Sequence, residues 1–233
     1  MIVVAGGSGV RMGAVLPKQF LLLAGKPLLM LTMQAFADAC PEAEIILVLP
    51  VEHKPLWNAL CRDYAFSIPH QIATGGETRS ASVKNGLSLI TSPEAVVAIH
   101  DGVRPLVKAG VILEGFRLAE TYGSAIPVIR LDDSVRLVTE EGSRPVDRNA
   151  LRSVQTPQCF RLSLLKEAYQ RQHPEGFTDD ASLVEASGYP VKLFEGSRDN
   201  IKITTPADLQ LAEAVLFNNL QMKPAGNLNQ SKP

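Results

Sequence analysis

The chain has 233 residues, with 23 Lys and Arg against 24 Asp and Glu, 45% apolar residues and 20% charged ones. At roughly 150 residues per domain this is one sizeable domain with an appendage, large enough to bury a core without disulfides or a structural metal, and its charge balance excludes a disordered tail or a polycation that coats nucleic acid. Cys40, Cys61 and Cys159 are odd in number, widely separated and free of any C-x-x-C, which argues against a disulfide framework or zinc knuckle and points to a reducing cytoplasm.

Met1-Ile2-Val3-Val4-Ala5 has no basic region ahead of a long apolar one, so it reads as a first strand rather than a secretory signal. Short runs at 2–5, 44–50, 70–74, 96–100 and 125–129, several of them rich in Val and Ile, predict strands buried on both faces. Between them, 27–39, 52–65, 78–90 and 107–122 have helical spacing. The alternation predicts an α/β fold: a Rossmann-like open, mostly parallel twisted sheet flanked by helices. The uncharged run between Lys26 and Asp38 is eleven residues, against roughly 18 for a membrane span.

The rhythm breaks after Arg130. Ser134-Val135-Arg136-Leu137-Val138, then Glu140-Glu141-Gly142, then Ser143-Arg144-Pro145-Val146 predict a protruding two-stranded β-arm at about 132–150. Such a hairpin is marginal alone in water, so a second copy of the chain is its expected support. The pattern resumes with a helix over 162–172, an apolar run over 190–194 and a helix over 206–217 with Pro in its first turn. Residues 1–222 thus form a single domain, and 223–233, rich in Lys, Pro, Asn, Gln and Ser, are expected to fray.

Directly after the first strand comes Gly6-Gly7-Ser8-Gly9-Val10-Arg11-Met12-Gly13. Glycines there let backbone amides approach an anion closely. The dinucleotide fingerprint G-x-G-x-x-G fails because Met12 stands where its last Gly belongs, and Walker A fails because Pro27 follows Gly25-Lys26. What remains is G-x-G-x-R followed by Pro17-Lys18-Gln19, an Arg and a Lys beside a nest of amides. A plain tight turn and a phosphate cradle fit the glycines equally well; the two cations favour a triphosphate.

Val4-Ala5-Gly6-Gly7-Ser8-Gly9-Val10-Arg11-Met12 with Pro17-Lys18-Gln19-Phe20 resembles the nucleotide signature of the 2-C-methyl-D-erythritol 4-phosphate cytidylyltransferases. Further blocks follow in order: Gly75-Gly76-Glu77-Thr78-Arg79-Ser80-Ala81-Ser82-Val83, His100-Asp101-Gly102-Val103-Arg104-Pro105, Val146-Asp147-Arg148-Asn149, Thr156-Pro157-Gln158, Phe177-Thr178-Asp179-Asp180-Ala181-Ser182 and Asp199-Asn200-Ile201-Lys202-Ile203-Thr204. The resemblance runs to about Phe217. The chain departs from the family where Val4-Ala5-Gly6-Gly7 replaces the usual Pro-Ala-Ala-Gly, Glu77 the usual Asp, and Gly102-Val103 the frequent Ala-Ala.

The resemblance implies attack by the 4-phosphate of methylerythritol phosphate on the α-phosphorus of CTP, with pyrophosphate leaving, in the non-mevalonate isoprenoid pathway. Both reactants are polyanions, so the work is electrostatic, done by Lys, Arg, backbone amides and Mg²⁺. By resemblance, Arg11, Lys18 and Lys202 are catalytic, and Ala5, Gly6, Gly7, Gly9, Gly76, Glu77, Ser82 and Asp101 complete the nucleotide site with them. Asp101 closes a predicted strand at the carboxyl edge where open α/β sheets bind ligands, and a carboxylate there suits Mg²⁺. A lone Lys202 is by default a solvated surface group, with Asp199 three residues earlier as a partner; the motif around it argues otherwise. His100 reads as a packing residue, because a phosphate dianion needs no base. On the acceptor side the resemblance implies Arg104, Thr156, Thr178 and Thr204, with Ser134 and Arg148 reaching in from the partner of a homodimer. Ser134 keeps the hydroxyl of the usual Thr. Ribitol 5-phosphate is the alternative acceptor, a nucleotide sensor without turnover the alternative class, and a dinucleotide oxidoreductase is disfavoured by the failed fingerprint.

Overall fold

A computed structural model describes residues 1–6, 16–171 and 176–221. Eight strands form one sheet: β1 (Ile2–Val4), β4 (Ile46–Leu49), β5 (Gln71–Thr74), β6 (Val96–Asp101), β7 (Ser124–Arg130), β10 (Arg152–Val154), β11 (Gln158–Arg161) and β12 (Lys192–Glu195), of which β5, β10 and β12 are largely exposed. Outside it, β2 (Leu22–Leu23) pairs with β3 (Lys26–Pro27), and β8 (Val135–Thr139) with β9 (Gly142–Val146).

Side chains alternate across a strand, and the two faces make two cores. Val3, Leu47, Leu49 and Ala98 point into one, with Phe36 of α1 (Leu28–Ala39), Trp57 of α2 (Lys54–Asp63) and Ile112 of α4 (Ala109–Tyr122). Ile2, Ile46, Val48, Val97 and Ile99 point into the other, with Val83 of α3 (Arg79–Leu87), Leu165 of α5 (Leu162–Arg171) and Val184 of α6 (Asp180–Ala186). Each such side chain contributes on the order of 1.5–3 kcal/mol by leaving water. This two-sided burial is why β1 and β4 read as continuous apolar runs, whereas β5, expected to be buried on both faces, lies at the sheet edge and exposes Gln71 and Thr74.

β5, β4, β1 and β6 are neighbours in that order and all parallel. The chain leaves β1 toward β4 and β5, then returns through α3 to β6 on the other side of β1. The carboxyl ends of β1 and β6 therefore flank the crevice where the winding reverses. β11 departs from the parallel rule, running antiparallel between β6 and β7, while β10 continues along β7 from Val128 to Arg130. β11 gives no strand rhythm because its first residue Gln158, like Gln155 and Thr156 just before the strand, is polar yet buried and hydrogen-bonded.

The expected arm is β8 and β9, a hairpin turning at Glu140 and Glu141 with Gly142 at φ +137°. Among the described residues its strands pair only with each other, and Leu137 and Val138 are exposed. The Asp132 carboxylate holds Arg198 at the base of the arm, with Nη2 to Oδ1 at 2.7 Å. α7 (Pro206–Gln221) closes the described chain, its first turn fixed by a capping box in which Thr205 Oγ1 accepts from Asp208 N and Asp208 Oδ2 accepts from Thr205 N. The expected fraying of 223–233 concerns residues outside those described. No described helix is long and apolar enough to cross a membrane.

Candidate active site

A cleft opens at the reversal point, floored by Val4, Ala5 and Gly6. Gly102 N donates to Val4 O at 2.9 Å, drawing the end of β6 against the end of β1. A Cβ on Gly102 would lie 3.1 Å from Ala5 Cβ and from Leu29 Cδ1, a tight contact that these neighbours would have to relieve by a small shift. One wall is the short 3₁₀ turn Lys18–Phe20. Phe20 anchors it in the core, and Gln19 Nε2 donates to Ala5 O at 2.8 Å, which leaves Lys18 on the cleft side.

The opposite wall is the loop from β5 into α3. Thr78 caps that helix by accepting from Ala81 N at 3.0 Å, and Ser82 Oγ accepts from Gly76 N at 3.0 Å, folding the loop onto the helix. A Cβ on Gly76 would come within 2.5 Å of Ala81 Cβ, so this turn requires glycine. Gly76, Glu77, Arg79 and Ser82 face the cleft.

Asp101 and Lys202 complete it. Asp101 Oδ2 accepts from Arg104 Nε at 3.0 Å and lies 3.0 Å from Lys202 Nζ. Burial pushes the Asp101 pKa up, but Lys202, Arg104 and Arg79 outweigh it and hold the carboxyl well below the usual carboxylate range. Asp199, three residues before Lys202, pairs instead with Lys108 at 2.6 Å. The expected Asp199 partner is therefore replaced by Asp101, because the Ile203 N to Val103 O bond of 2.9 Å lays this segment against the end of β6.

Beneath the cleft lies a polar layer. His100 Nε2 is 3.2 Å from Arg104 O, an acceptor, so Nε2 carries the hydrogen and Nδ1 accepts from Thr156 Oγ1 at 3.0 Å. Thr156 Oγ1 in turn accepts from Asp101 N at 3.2 Å. Arg104 Nη1 donates to Asn200 O at 2.8 Å, and Asn200 Nδ2 donates to Thr156 O at 2.7 Å. Burial lowers the His100 pKa to about 4, against the pull of Asp101. A folded-state value below the unfolded one means that the unfolded chain binds the proton first, so stability is complete above about pH 6.5 and lost as the pH falls toward 4. Between pH 7 and 4.5 this histidine is expected to remove about 2.5 kcal/mol of unfolding free energy. Urea unfolding across that range checks it, and an NMR titration placing the His100 midpoint near 6.5 would refute it.

Of the residues expected from sequence, Ala5, Gly6, Lys18, Gly76, Glu77, Ser82, Asp101 and Lys202 meet in this cleft. Arg104 and Thr156 lie buried just below it. Thr204 stands one residue before the α7 cap, its hydroxyl donating to Asp208 Oδ2 at 2.9 Å, and the exposed Thr178 precedes the Asp179 cap of α6. Ser134 and Arg148 belong to the exposed arm and do not line the cleft, and Arg148 Nη1 donates to Asp132 O. Gly7, Gly9 and Arg11 fall outside the described residues. Arg79 has no role assigned from sequence although it lines the cleft; the signal for it is a cation at the start of a helix, where the dipole disfavours one.

The family model described as 2-C-methyl-D-erythritol 4-phosphate cytidylyltransferase matches residues 1–218. A protein of that name from Bacteroides fragilis is 54% identical over 215 residues, covering 92% of this chain and 98% of its own. One from Bacteroides thetaiotaomicron is 51% identical over 216 residues, covering 93% and 98%. The crystal structure of the protein so named from Thermus thermophilus superposes with a TM-score of 0.76 at 37% identity, covering 92% of this chain and 97% of that one.

Proposed function

The chain belongs to the 2-C-methyl-D-erythritol 4-phosphate cytidylyltransferase family, and from that premise we propose how its cleft carries out the reaction. The enzyme transfers CMP from CTP to 2-C-methyl-D-erythritol 4-phosphate, forming 4-diphosphocytidyl-2-C-methyl-D-erythritol and pyrophosphate in non-mevalonate isoprenoid synthesis. An acceptor phosphate oxygen attacks the α-phosphorus in line with the leaving pyrophosphate. The P–O bond to the acceptor forms as the bond to the β-phosphate breaks, with no covalent enzyme intermediate.

The observation that carries this reading is the meeting of Lys18, Asp101 and Lys202, from three distant segments, over the end of β1. Lys18 and Arg11 hold the triphosphate beside the amides of the loop from Ala5 to Gly9. Lys202 sits between the α-phosphate and the incoming phosphate, lowering their repulsion and stabilising the five-coordinate phosphorus. Gly76 and Glu77 edge the base, with Ser82 holding their loop in shape. Arg104, Thr156, Thr178 and Thr204 serve the acceptor, the first two by fixing the end of β6 and the last two at helix starts. His100, neutral with both ring nitrogens engaged, supports a reaction without a general base.

A divalent metal fits this site. Asp101 offers a hard oxygen donor at the cleft and would hold Mg²⁺ there. When bound it would neutralise charge shared by the α- and β-phosphates. We further assign a homodimer through the arm, with Ser134 and Arg148 completing the partner's acceptor site; the exposed Leu137 and Val138 of an otherwise unsupported hairpin favour it. The thiols of Cys40, Cys61 and Cys159 are all free, and burial raises each of them, which suits a reducing cytoplasm.

Pyrophosphate release measured across nucleotides and polyol phosphates tests the reading. CTP with methylerythritol phosphate is expected to be the preferred pair, over UTP and over ribitol 5-phosphate, and EDTA is expected to stop turnover until Mg²⁺ is restored. Faster turnover with ribitol 5-phosphate would replace the acceptor assignment, and full activity in EDTA would remove the metal.

A further inference from the structure

We propose that Arg79 is a positioning residue that sets the distance between the nucleotide side and the acceptor side of the cleft, acting through Asp180; the proposal rests on the cytidylyltransfer reading above. Arg79 is the first residue of α3, directly after the loop that edges the base, and Asp180 is the first residue of α6, directly after Thr178 and the Asp179 cap. Arg79 Nη2 lies 2.7 Å from Asp180 Oδ2. The other carboxylate oxygen accepts from Tyr169 Oη at 2.6 Å, and Asp180 is 1% exposed. Arg79 is the one cation paired with it among the described residues. Gln158 of β11 locks the same corner, accepting from Asp180 N and Ala181 N at 3.1 Å and donating to Asp179 Oδ2 at 2.8 Å.

Two physical arguments make this more than a stability contact. A guanidinium in the first turn of α3 opposes the helix dipole, and no acidic residue in that turn compensates, so local helix energetics do not select it. The Asp180 side chain is fully buried while the Arg79 side chain keeps 29% of its exposure, and desolvation of the carboxylate offsets most of the attraction, so the pair is also weak as a source of stability. A fixed pair joining the starts of two helices, each carrying one substrate's loop, makes a spacer. Arg79 lines the cleft as well, so direct contact with CTP is the rival role, and the two roles differ in what Asp180 does.

The test compares wild type with Arg79→Lys, Asp180→Asn, Tyr169→Phe and the double variant Arg79→Gln/Asp180→Asn. Thermal melts establish folding, and steady-state KM and kcat together with calorimetric Kd values are measured for CTP and methylerythritol phosphate. Misplacement at the reacting centre is expected to raise KM and Kd for both ligands about tenfold in Arg79→Lys and Asp180→Asn, with the double variant no worse than the more affected single one. Tyr169→Phe, which removes only the remote hydrogen bond, is expected to shift both in the same direction by less and carries the test if Asp180→Asn does not fold. Wild-type constants in folded Asp180→Asn or Tyr169→Phe would overturn the proposal. So would a shift confined to CTP, which would make Arg79 a nucleotide contact. Wild-type protein that binds both ligands without releasing pyrophosphate would overturn the reaction reading while the Kd comparison still decides the spacer.

Discussion

Lys202→Ala is expected to lower kcat by a factor of about 10²–10³ while leaving the fold intact, the scale seen when one preorganised donor is removed from a developing negative charge. The ammonium is half-exposed and its attachment to the molecule is the contact with Asp101 at 3.0 Å. Removing it leaves Asp101 paired with Arg104, so no buried charge is stranded and the melting temperature should move little. In the proposed reaction the same ammonium faces two phosphates whose repulsion grows as they approach, so its effect is expected to be larger in the transition state than with CTP alone. The KM for CTP should therefore change less than kcat. Single-turnover quench measurements with saturating substrates check this, and a kcat within threefold of wild type would remove Lys202 from the mechanism. Lys202→Arg is expected to recover activity only in part, because a planar fork does not place its charge where a compact ammonium does.

Lys18→Ala and Arg148→Ala are each expected to be nearly inactive alone, yet mixing them should restore about one quarter of wild-type activity. In a two-fold dimer whose arm completes the partner's site, a mixed dimer holds one site with both defects and one with neither. Random exchange makes half the dimers mixed, each with one working site of two, which yields the quarter. The structure motivates this because Arg148 belongs to an exposed arm and does not line the cleft of its own chain. The unfractionated mixture is assayed for pyrophosphate against the quarter, and mixed dimers isolated through two affinity tags, with one working site of two, are expected to reach about one half of wild-type activity. No recovery in those dimers would mean that each chain completes its own site.

Much of the fold was legible because its signals are local. Ile46-Leu47-Val48-Leu49 is apolar throughout since both faces of β4 are covered, and Thr78 before α3 announces a cap. β11 was not legible. Cys159 and Phe160 enter opposite cores, but the neighbouring Gln158 is buried for its hydrogen bonds to the start of α6, which breaks any apolar rhythm. The seven residues of α6 are also too few for a periodic pattern, although Asp179 is its cap.

For the cleft, the residue types and their order were readable in the chain, since Gly76, Ser82, Asp101 and Lys202 fall in recognisable blocks. Their partners were not. Sequence proximity suggested Asp199 for Lys202, and the fold provides Asp101; nothing in the chain connects Arg79 with Asp180, which lie 2.7 Å apart. The amino-acid sequence by itself determined where most strands and helices occur and which blocks supply the candidate cleft residues, because burial periodicity, capping and glycine requirements act over a few residues. Only the tertiary structure decided which charges neutralise one another and which hydroxyls are already engaged, because ion pairs and buried hydrogen bonds depend on segments brought together by the sheet.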